Sequence, residues 1–275
     1  MYINQEISDE ELLYITKLVE RYGFSISNFK KEFLKRRIMA RMSMTRTLSV
    51  RDYCILLKRS FEEVKSLLDS TFINVSEFFR DPPLWEELSS LFKHFLYYNR
   101  FVRIWSAGCS CGEEPYSIAL TILKTFNRSE GVRIIATDID EKAIEIAMEG
   151  VYEKNALKNV PPELIEKYFI KEGERYKISQ KIKQMVNFVR HDVVRDQIFT
   201  GCDFVLCRNL MIYFPRDVQM KLIEKFWSAL NLNGYLILGL SEVLNDSAIN
   251  YFEPHNPRLR IYRKRSIFKR VSFNS

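Results

Sequence analysis

The sequence has few histidines, no long apolar run and no paired set of cysteines, and each of these absences excludes a class of protein. Only three of its 275 residues are histidine. No stretch of about 18 apolar residues occurs, so we expect no membrane-spanning helix. Residues 1–11 are polar and acidic, so we expect no signal peptide either. These features predict a cytoplasmic protein that is not inserted in a membrane.

The cysteines predict neither disulfides nor a metal site. Their number is odd, and cytoplasmic thiols are kept reduced, so we expect free thiols, several of them buried in or beside strands. Cys109 and Cys111 are close together, but no second pair stands at the spacing of zinc ligands and the histidines are scattered. We therefore expect no bound metal. The five positions are Cys54, Cys109, Cys111, Cys202 and Cys207.

Positive charge is concentrated in the first quarter of the chain. The formal net charge is +7, and residues 21–60 hold eleven Lys and Arg against two acidic residues. Such a surface attracts nucleic acid, acidic lipid or an acidic protein, and an ordinary solvated helix face is the alternative. Lys30, Arg37 and Arg41 are spaced by seven and four residues, which places them on one face of a predicted helix. We expect an exposed cationic stripe there.

Residues 1–75 are predicted to form a small all-helical domain. Four segments have helical patterns, and no strand-like alternation interrupts them. Ser8, Ser27 and Ser49 are predicted to cap helices, and Gly23 to end the first one. The second domain is predicted over residues 76–275, with residues 76–100 as a linker.

Residues 101–125 predict a strand, a glycine turn and a helix. An apolar run leads into a turn between Gly108 and Gly112, and Pro115 is expected at the start of the helix, which is predicted to begin at Glu114 or Pro115. Glycines at this place let a ligand approach the backbone, as nucleotide-type cofactors do in doubly wound α/β domains.

Glu113 and Glu114, at the start of this helix, indicate the kind of cofactor. Phosphate groups bind at helix N-termini, and carboxylates there would repel them. The glycine spacing also matches neither the dinucleotide-binding motif nor the P-loop. S-adenosylmethionine carries amino and sulfonium charges and no phosphate, so it fits. The alternative is that both glutamates only stabilise the helix dipole.

Later segments complete an α/β domain. A second strand ends at Asp138, where folds of this kind bind ribose hydroxyls, and later strands are followed by Asp192 and Arg208. Because the carboxyl ends of parallel strands line one crevice, we expect these three side chains to meet there. Residues 155–186, with a hairpin-like segment around Gly173, predict a small β insertion.

The segment at the boundary between the two predicted domains has the character of a hinge. Asn74, Ser76 and Arg80 alternate with Phe78 and Phe79, and the sequence Asp-Pro-Pro follows at residues 81–83. We predict a functional role for this segment; the alternative is that its aromatic residues only dock the two domains.

Four segments in this order resemble the CheR family, the chemotaxis receptor glutamate methyltransferases. They are NVSEFFR (74–80), WSAGCSCGEEPYS (105–117), ATDID (136–140) and CRNLMIYF (207–214). Together with the basic helical domain, the resemblance covers nearly the whole chain. It implies a class I S-adenosylmethionine-dependent methyltransferase domain, a Rossmann-like doubly wound α/β sheet, with an all-helical N-terminal domain and a small β insertion.

The resemblance also implies the residues of the site. Arg80 and Tyr213 would face the substrate carboxylate as catalytic residues, and the stripe of Lys30, Arg37 and Arg41 would bind the substrate protein. Glu114 would bind the cofactor's amino group and Asp138 its ribose. The residues expected to bind S-adenosylmethionine are Asn74, Ser76, Arg80, Gly108, Glu114, Asp138, Asp192, Val193, Cys207 and Arg208.

Three positions depart from the family's pattern. Ser76 stands where Thr is usual, and Asp192 stands where some members have Asn. The loop at residues 171–177 is short and has one glycine. Members that bind a receptor's C-terminal peptide through the β insertion have a longer, glycine-rich loop, so we expect no such tether here.

The implied reaction is methyl transfer to the γ-carboxylate of receptor glutamates, giving a methyl ester and S-adenosylhomocysteine. A carboxylate with a pKa of about 4.3 is ionised at neutral pH, so no general base is needed. The implied partners are methyl-accepting chemotaxis receptors, whose acidic helical methylation region would lie along the cationic stripe. We expect a monomer, recruited to receptor arrays, that does not bind nucleic acid.

Three other functions compete. A nucleic-acid methyltransferase would use the same cofactor fold with a basic accessory domain, but residues 209–212 are not the Asn-Pro-Pro-aromatic motif of base methylation. A non-catalytic cofactor sensor or scaffold is the second. A nicotinamide-dependent oxidoreductase is the third, and Glu113 and Glu114 oppose it.

Overall fold

The computed structural model describes residues 6–99, 101–126, 129–244 and 246–266. The chain divides into two compact units. The first consists of Met1–Ile73 with Ile212–Val218, and the second of Asn74–Met211 with Gln219–Ser275. Segment 212–218 therefore belongs to the first unit although it is distant from it in sequence. Among the described helices, none is long and apolar enough to cross a membrane.

The first unit is built from four helices around an apolar core. They are α1 (Asp9–Glu20), α2 (Lys31–Met44), α3 (Val50–Arg59) and α4 (Phe61–Thr71). The predicted caps Ser8 and Ser49 are confirmed, because each side chain accepts a backbone N–H of the helix it precedes. At α1 the cap is reciprocal, since Glu11 also accepts from the N–H of Ser8.

The predicted cap at Ser27 is wrong. Helix α2 begins at Lys31, and no side chain caps it. Ser27 instead donates to Glu20 Oε1 at 3.1 Å. The later start of α2 is consistent with tertiary packing. The ring of Phe29, which precedes the helix, packs against the Phe214 ring of segment 212–218, with 5.2 Å between the ring centres.

Within its described residues, the second unit contains ten strands and the remaining helices. The helices are α5 (Pro82–Tyr98), α6 (Glu113–Phe126), α7 (Glu141–Glu149), α8 (Pro162–Tyr168), α9 (Gln180–Lys183) and α10 (Arg216–Ala229), the first residues of α10 lying in segment 212–218. The strands are β1 (Val102–Ala107), β2 (Val132–Asp138), β3 (Val151–Glu153), β4 (Phe169–Glu172), β5 (Arg175–Ile178), β6 (Val186–Arg190), β7 (Cys202–Cys207), β8 (Leu230–Leu238), β9 (Phe252–Asn256) and β10 (Ile261–Lys264).

Seven strands form the main sheet, in the order β6-β2-β1-β7-β8-β10-β9. The first five run parallel, and β10 runs antiparallel to both β8 and β9. From β1 the chain adds strands on one side and then returns to β7 on the other. The strand order thus reverses between β1 and β7, and ligands of such sheets bind at the carboxyl ends of the strands at this point.

The predicted β insertion is present as a second, three-stranded antiparallel sheet in the order β3-β5-β4. Strands β4 and β5 form the expected hairpin, and Gly173 at its turn has a φ of 62°. Lys171 and Ile170 are exposed on the edge strand β4. The insertion therefore has its own sheet, separate from the main one.

The cysteines are all free, as predicted. Four are buried, and Cys111 is half-buried. Burial raises the pKa of Cys111 to about 11 and that of Cys202 to about 12. These thiols are therefore held in their neutral form.

Candidate active site

The turn between β1 and α6 requires its glycines. Gly108 has a φ of 80° and Gly112 a φ of 94°. A Cβ on Gly108 would lie 2.9 Å from Leu210, and one on Gly112 would lie 2.8 Å from the Ala147 side chain. The N–H of Gly108 donates to the carbonyl of Thr137 at 2.8 Å, which holds the turn beside the end of β2. Helix α6 then begins at Glu113, one residue earlier than the range predicted.

Asp138, the last residue of β2, is oriented by this turn. The N–H of Ser110 donates to its Oδ2 at 2.8 Å, and the N–H of Asp140 donates to its Oδ1 at 3.0 Å. Burial raises the pKa of Asp138, and these two N–H groups act in the opposite direction. Each oxygen of the carboxylate has a further lone pair. Asp138 is therefore equipped to accept hydrogen bonds from a pair of ligand hydroxyls.

Glu114 and Arg208 form a buried ion pair at the point where the strand order reverses. Arg208 Nη1 donates to Glu114 Oε2 at 3.2 Å, and the Ser106 hydroxyl donates to Glu114 Oε1 at 2.6 Å. Arg208 Nη2 also donates to Asp81 Oδ2 at 2.6 Å and to the carbonyl of Arg80 at 3.0 Å. The side chain of Arg208 is only 3% exposed. Arg208 thus joins β7 to α6 and to the hinge segment.

Glu113, the other glutamate at the start of α6, has a carboxylate oxygen without a protein partner among the described residues. Its Oε2 is buried and has no hydrogen-bond partner among the described residues. Burial raises the pKa of Glu113, which the Ser76 hydroxyl partly offsets. A buried carboxylate oxygen without a partner is unfavourable, and a cationic ligand group would satisfy it. The family resemblance implies Glu114 for the amino group, but both oxygens of Glu114 have protein partners, whereas Glu113 Oε2 has none among the described residues.

The hinge segment is packed into the second unit. Phe78 is fully buried, with its ring 4.8 Å from the Tyr152 ring. The N–H of Phe79 donates to the Ser117 hydroxyl at 2.9 Å. Asn74 Nδ2 donates to Asp140 Oδ2 at 2.6 Å. The aromatic residues therefore anchor the segment within the second unit.

Arg80 lies on a strained turn of this segment. Phe79 has a φ of 50° and Asp81 a φ of 61°, both in the left-handed region. Such strain persists only where the surroundings enforce it, and the bonds from Arg208 to this turn do so. Arg80 is half-buried, and its Nη1 donates to the carbonyl of Val75 at 3.2 Å. Among the described residues, the other four guanidinium N–H groups have no acceptor and remain for a ligand or substrate.

The loop after β6, which contains the predicted cofactor-binding residues Asp192 and Val193, is held by two side chains. Asp192 Oδ1 accepts the N–H of Val194 at 2.9 Å. From α10, Lys225 Nζ donates to the carbonyls of Val193 at 3.2 Å and Asp196 at 2.9 Å. Burial lowers the pKa of Lys225. No sequence signal marked Lys225, since it contacts the loop from a distant helix.

The three side chains expected to meet in one crevice do so only in part. Asp138 ends β2 and Asp192 follows the neighbouring strand β6, and the N–H of His191 donates to the carbonyl of Asp138 at 2.8 Å. Arg208 follows β7, on the other side of β1. Arg208 forms ion pairs with Glu114 and Asp81, and not with Asp138 or Asp192.

The remaining predicted residues lie in the first unit. Tyr213 is part of segment 212–218, with its ring 5.1 Å from the Phe33 ring. Lys30 is exposed, and Arg37 is half-buried over the Phe33 ring, 5.1 Å from its centre.

Arg41 does not form part of an exposed stripe, so that expectation is wrong. Its Nε and Nη2 donate to Glu63 at 3.0 and 2.6 Å, and only 18% of its side chain is exposed. Glu63 also accepts from the Tyr53 hydroxyl at 2.8 Å. A pairing partner on another helix cannot be read from helical spacing.

Comparisons with known proteins agree with this geometry. The model of the CheR methyltransferase SAM binding domain matches residues 74–259, and that of the CheR methyltransferase all-alpha domain matches residues 12–71. The chain is 31% identical over 244 residues to the chemotaxis protein methyltransferase of Listeria monocytogenes, covering 86% of this chain and 92% of that protein.

Two further relatives are matched over very different shares of their own length. Chemotaxis protein methyltransferase 2 of Vibrio cholerae is 31% identical over 258 residues, which cover 86% of this chain and 90% of that protein. An uncharacterised 104.1 kDa protein of Rhodobacter capsulatus is 34% identical over 224 residues, or 79% of this chain. The match spans only 24% of that larger protein.

Proposed function

The chain belongs to the CheR methyltransferase family, and from this premise we propose that it methylates the γ-carboxylate of glutamates in chemotaxis receptors. The observation that carries the proposal is the pair of acceptors beside the glycine turn. Glu113 has a buried carboxylate oxygen without a partner among the described residues, and Asp138 has a carboxylate oriented by two backbone N–H groups. Together they suit a ligand with one cationic group and a pair of hydroxyls.

The residues of the second unit fit S-adenosylmethionine, the cofactor of this family's binding domain. When bound, it supplies a methyl group activated by a positively charged sulfur. We assign the ribose hydroxyls to Asp138 and the adenine to Asp192 and Val193. Asn74, Ser76 and Arg80 would enclose the methionyl end, and Cys207 with Arg208 would border the pocket's other side.

The amino group of the cofactor would lie at the two glutamates that begin α6. Glu114 is the residue implied by the family motif, and its oxygens already accept from Ser106 and Arg208. Glu113 has the free acceptor. We therefore propose that Glu113 shares the amino group with Glu114, and Gly108 lets the cofactor approach the backbone.

Arg80 would orient the carboxylate that receives the methyl group. The attacking oxygen is already ionised at neutral pH, so the chain needs no general base. Catalysis would come from alignment of oxygen, methyl and sulfur, since positioning alone lowers such barriers by several kcal/mol, roughly 7 or more in favourable cases. Arg80 would orient the substrate carboxylate without binding it tightly, because a tight bidentate ion pair would stabilise the ground state.

Tyr213 is the second proposed catalytic residue. The Tyr213 ring packs against the Phe33 ring, with 5.1 Å between the ring centres, and this contact fixes the position of its hydroxyl. A phenolic hydroxyl donates a hydrogen bond without carrying charge. It would orient a substrate carboxylate with little stabilisation of its ionised form.

The proposed substrate surface is the basic face of the first unit. Lys30 is exposed, and Arg37 is half-buried. An acidic helical partner would gain from both charges, chiefly in its rate of encounter. Arg41 is left out of this surface because Glu63 neutralises it.

The test is transfer of labelled methyl from S-adenosylmethionine to a purified receptor signalling domain, followed by mild alkali. Label that is released by base establishes carboxyl methyl esters. Replacing the methylated glutamates by glutamine or aspartate in the receptor should abolish the label. Base-stable label, or transfer only to added RNA, would contradict the proposed substrate while leaving the cofactor site unaffected.

A further inference from the structure

Glu242 is a buried carboxylate outside the motifs of the sequence analysis. It is only 3% exposed. Its Oε2 accepts the N–H groups of Asn209 at 2.8 Å and Gly239 at 2.7 Å, and its Oε1 accepts the N–H of Met211 at 2.7 Å. One side chain thus joins the loop after β7, which carries the segment CRNLMIYF, to the loop after β8.

The junction between these loops is closely packed. A Cβ on Gly239 would lie 2.8 Å from the backbone nitrogen of Asn209 and 2.9 Å from Glu242 Oε2. Asn209 has a φ of 59°, a left-handed conformation that a residue other than glycine keeps only where its surroundings impose it. The bond from the N–H of Asn209 to Glu242 is one of the contacts that hold this conformation.

The path of this loop determines where Arg208 points. Arg208 precedes Asn209 directly, and its buried guanidinium contacts Glu114, Asp81 and the carbonyl of Arg80. A shift of the loop would therefore move three groups at the cofactor site at once. Since Glu242 fixes both Asn209 and Met211, it controls the residues that follow Arg208 on the loop.

We propose that Glu242 is a positioning residue of the methyltransferase site, which holds the loop after β7 so that Arg208 fixes Glu114 and the turn at Arg80. The proposal rests on the proposed placement of S-adenosylmethionine beside Cys207 and Arg208. It does not depend on which molecule accepts the methyl group.

Glu242→Gln is a sharp probe because it changes shape very little. A glutamine has one acceptor oxygen and an NH2 group that only donates. It can satisfy the N–H groups of Asn209 and Gly239, or that of Met211, but not all three. At least one backbone N–H then faces another donor, and the loop must shift.

The first experiment measures S-adenosylhomocysteine binding by calorimetry and thermal unfolding on the same samples. Glu242→Gln is expected to weaken binding about tenfold, the effect of a single charged hydrogen bond lost at a site. Glu63→Gln is the matched control, since Glu63 is a buried carboxylate with three hydrogen bonds inside the helical unit. It should lower the melting temperature comparably and leave binding within about twofold.

The second experiment combines Glu242→Gln with Arg208→Met. If Glu242 acts through Arg208, the double variant binds no more weakly than Arg208→Met alone, whereas independent sites give additive losses. Gly239→Ala disturbs the same junction from the other loop, with Glu242 intact, and should give the same pattern. It serves if Glu242→Gln fails to fold.

Three results would overturn the proposal. They are wild-type binding by both Glu242→Gln and Gly239→Ala, an equal loss of binding in Glu63→Gln, and additive losses in the double variant. All readings are taken without a receptor. Failure of receptor methylation with the expected binding pattern would therefore contradict the proposed substrate alone.

Discussion

Arg80 is fixed at two points: its backbone carbonyl accepts from Arg208, and its Nη1 donates to the carbonyl of Val75. It lies on a strained turn between Phe79 and Asp81, which sets the direction of its side chain. We expect Arg80→Ala to lower kcat for receptor methylation by about 10- to 100-fold, the usual effect of losing substrate alignment. The affinity for S-adenosylhomocysteine should fall less. Steady-state kinetics with calorimetry on the same preparation would check this. Arg80→Lys keeps the charge without the fork, and turnover of Arg80→Ala at the wild-type rate would remove the proposed role.

At Tyr213, the role of the hydroxyl can be tested separately from the packing of the ring. Tyr213→Phe retains the contact with Phe33 and removes only the hydroxyl. We expect lower turnover, with the melting temperature and cofactor affinity nearly unchanged. Phe33→Leu is the control for the ring contact and should act on stability instead. A loss of stability in Tyr213→Phe equal to that of Phe33→Leu would count against a role of the hydroxyl in the reaction.

The pH dependence of cofactor binding follows from the burial of Glu113 and Asp138. Burial raises the pKa of each, so both begin to take up protons at a higher pH than ordinary carboxyls do. A protonated Glu113 no longer attracts a cationic amino group. Affinity for S-adenosylhomocysteine should therefore decline as the pH is lowered from neutral, and the decline should begin at a higher pH than for ordinary carboxyls.

Glu113→Gln tests which carboxyl is responsible. The variant should bind more weakly at high pH and show a flatter pH profile, because one titrating group is gone. The sign for stability is the reverse: a raised carboxyl pKa costs folding free energy above the unfolded value, and that cost disappears at low pH. Glu113→Gln should accordingly fold at least as stably as the wild type at neutral pH. An unchanged pH profile would exclude Glu113 from the amino-group site.

At the scale of elements, the glycine turn between β1 and α6 is the most constrained. Gly112→Ala places a Cβ 2.8 Å from the Ala147 side chain at a φ of 94°. We expect backbone strain to destabilise the fold by about 1 to 3 kcal/mol and crowding to add to this loss, measured by urea unfolding, with weaker cofactor binding. Gly173→Ala is a matched control, since its φ of 62° is also left-handed but nothing lies within 4 Å of the new Cβ. An equal loss in both variants would assign the cost to the backbone rather than to crowding.

Elements whose signal is local could be predicted from the sequence. The strand, turn and helix from β1 to α6 and the hairpin of β4 and β5 follow from apolar runs, glycines and Pro115. Ser27 could not be judged this way, because its neighbour Phe29 packs against Phe214, which is distant in sequence. The inclusion of segment 212–218 in the first unit is of the same kind.

The candidate site was predicted by motif, and its internal pairing was not. Gly108, Glu114, Asp138 and Arg208 lie at the carboxyl edge of the sheet, as expected from strands followed by polar residues. Which carboxylate keeps an open oxygen depends on hydrogen bonds between separate elements. That is why Glu113 and the contacts of Lys225 and Glu242 emerge only in three dimensions.

At the scale of the whole molecule, the predicted class I methyltransferase fold is confirmed by the two family models and the mixed seven-stranded sheet. The charge pattern was predicted less well. A count of lysines and arginines overstates the free charge of the basic region, because Lys31 and Lys35 pair with Asp9 and Arg41 pairs with Glu63.

A basic residue in a buried ion pair and an exposed basic residue should respond differently to substitution. Arg41→Ala leaves Glu63 buried and unpaired, so we expect a loss of about 3 kcal/mol in the free energy of unfolding. Lys30→Ala should change stability by less than about 0.5 kcal/mol. It should weaken receptor association instead, more strongly at low salt, because exposed charges are screened at high ionic strength. Unfolding curves and binding at two salt concentrations would check both; receptor binding by Lys30→Ala that matches the wild type at low salt would exclude Lys30 from the interface.

The burial of the thiols also makes the protein convenient for fluorescence. Thiol-reactive dyes attack the thiolate, and burial holds the pKa of Cys109 and Cys207 well above the usual range and that of Cys111 at about 11. The native cysteines should thus remain unlabelled at neutral pH. A single cysteine introduced at exposed Lys171 would accept the dye, and encounters with a receptor could then be followed in a chain whose own cysteines are all retained.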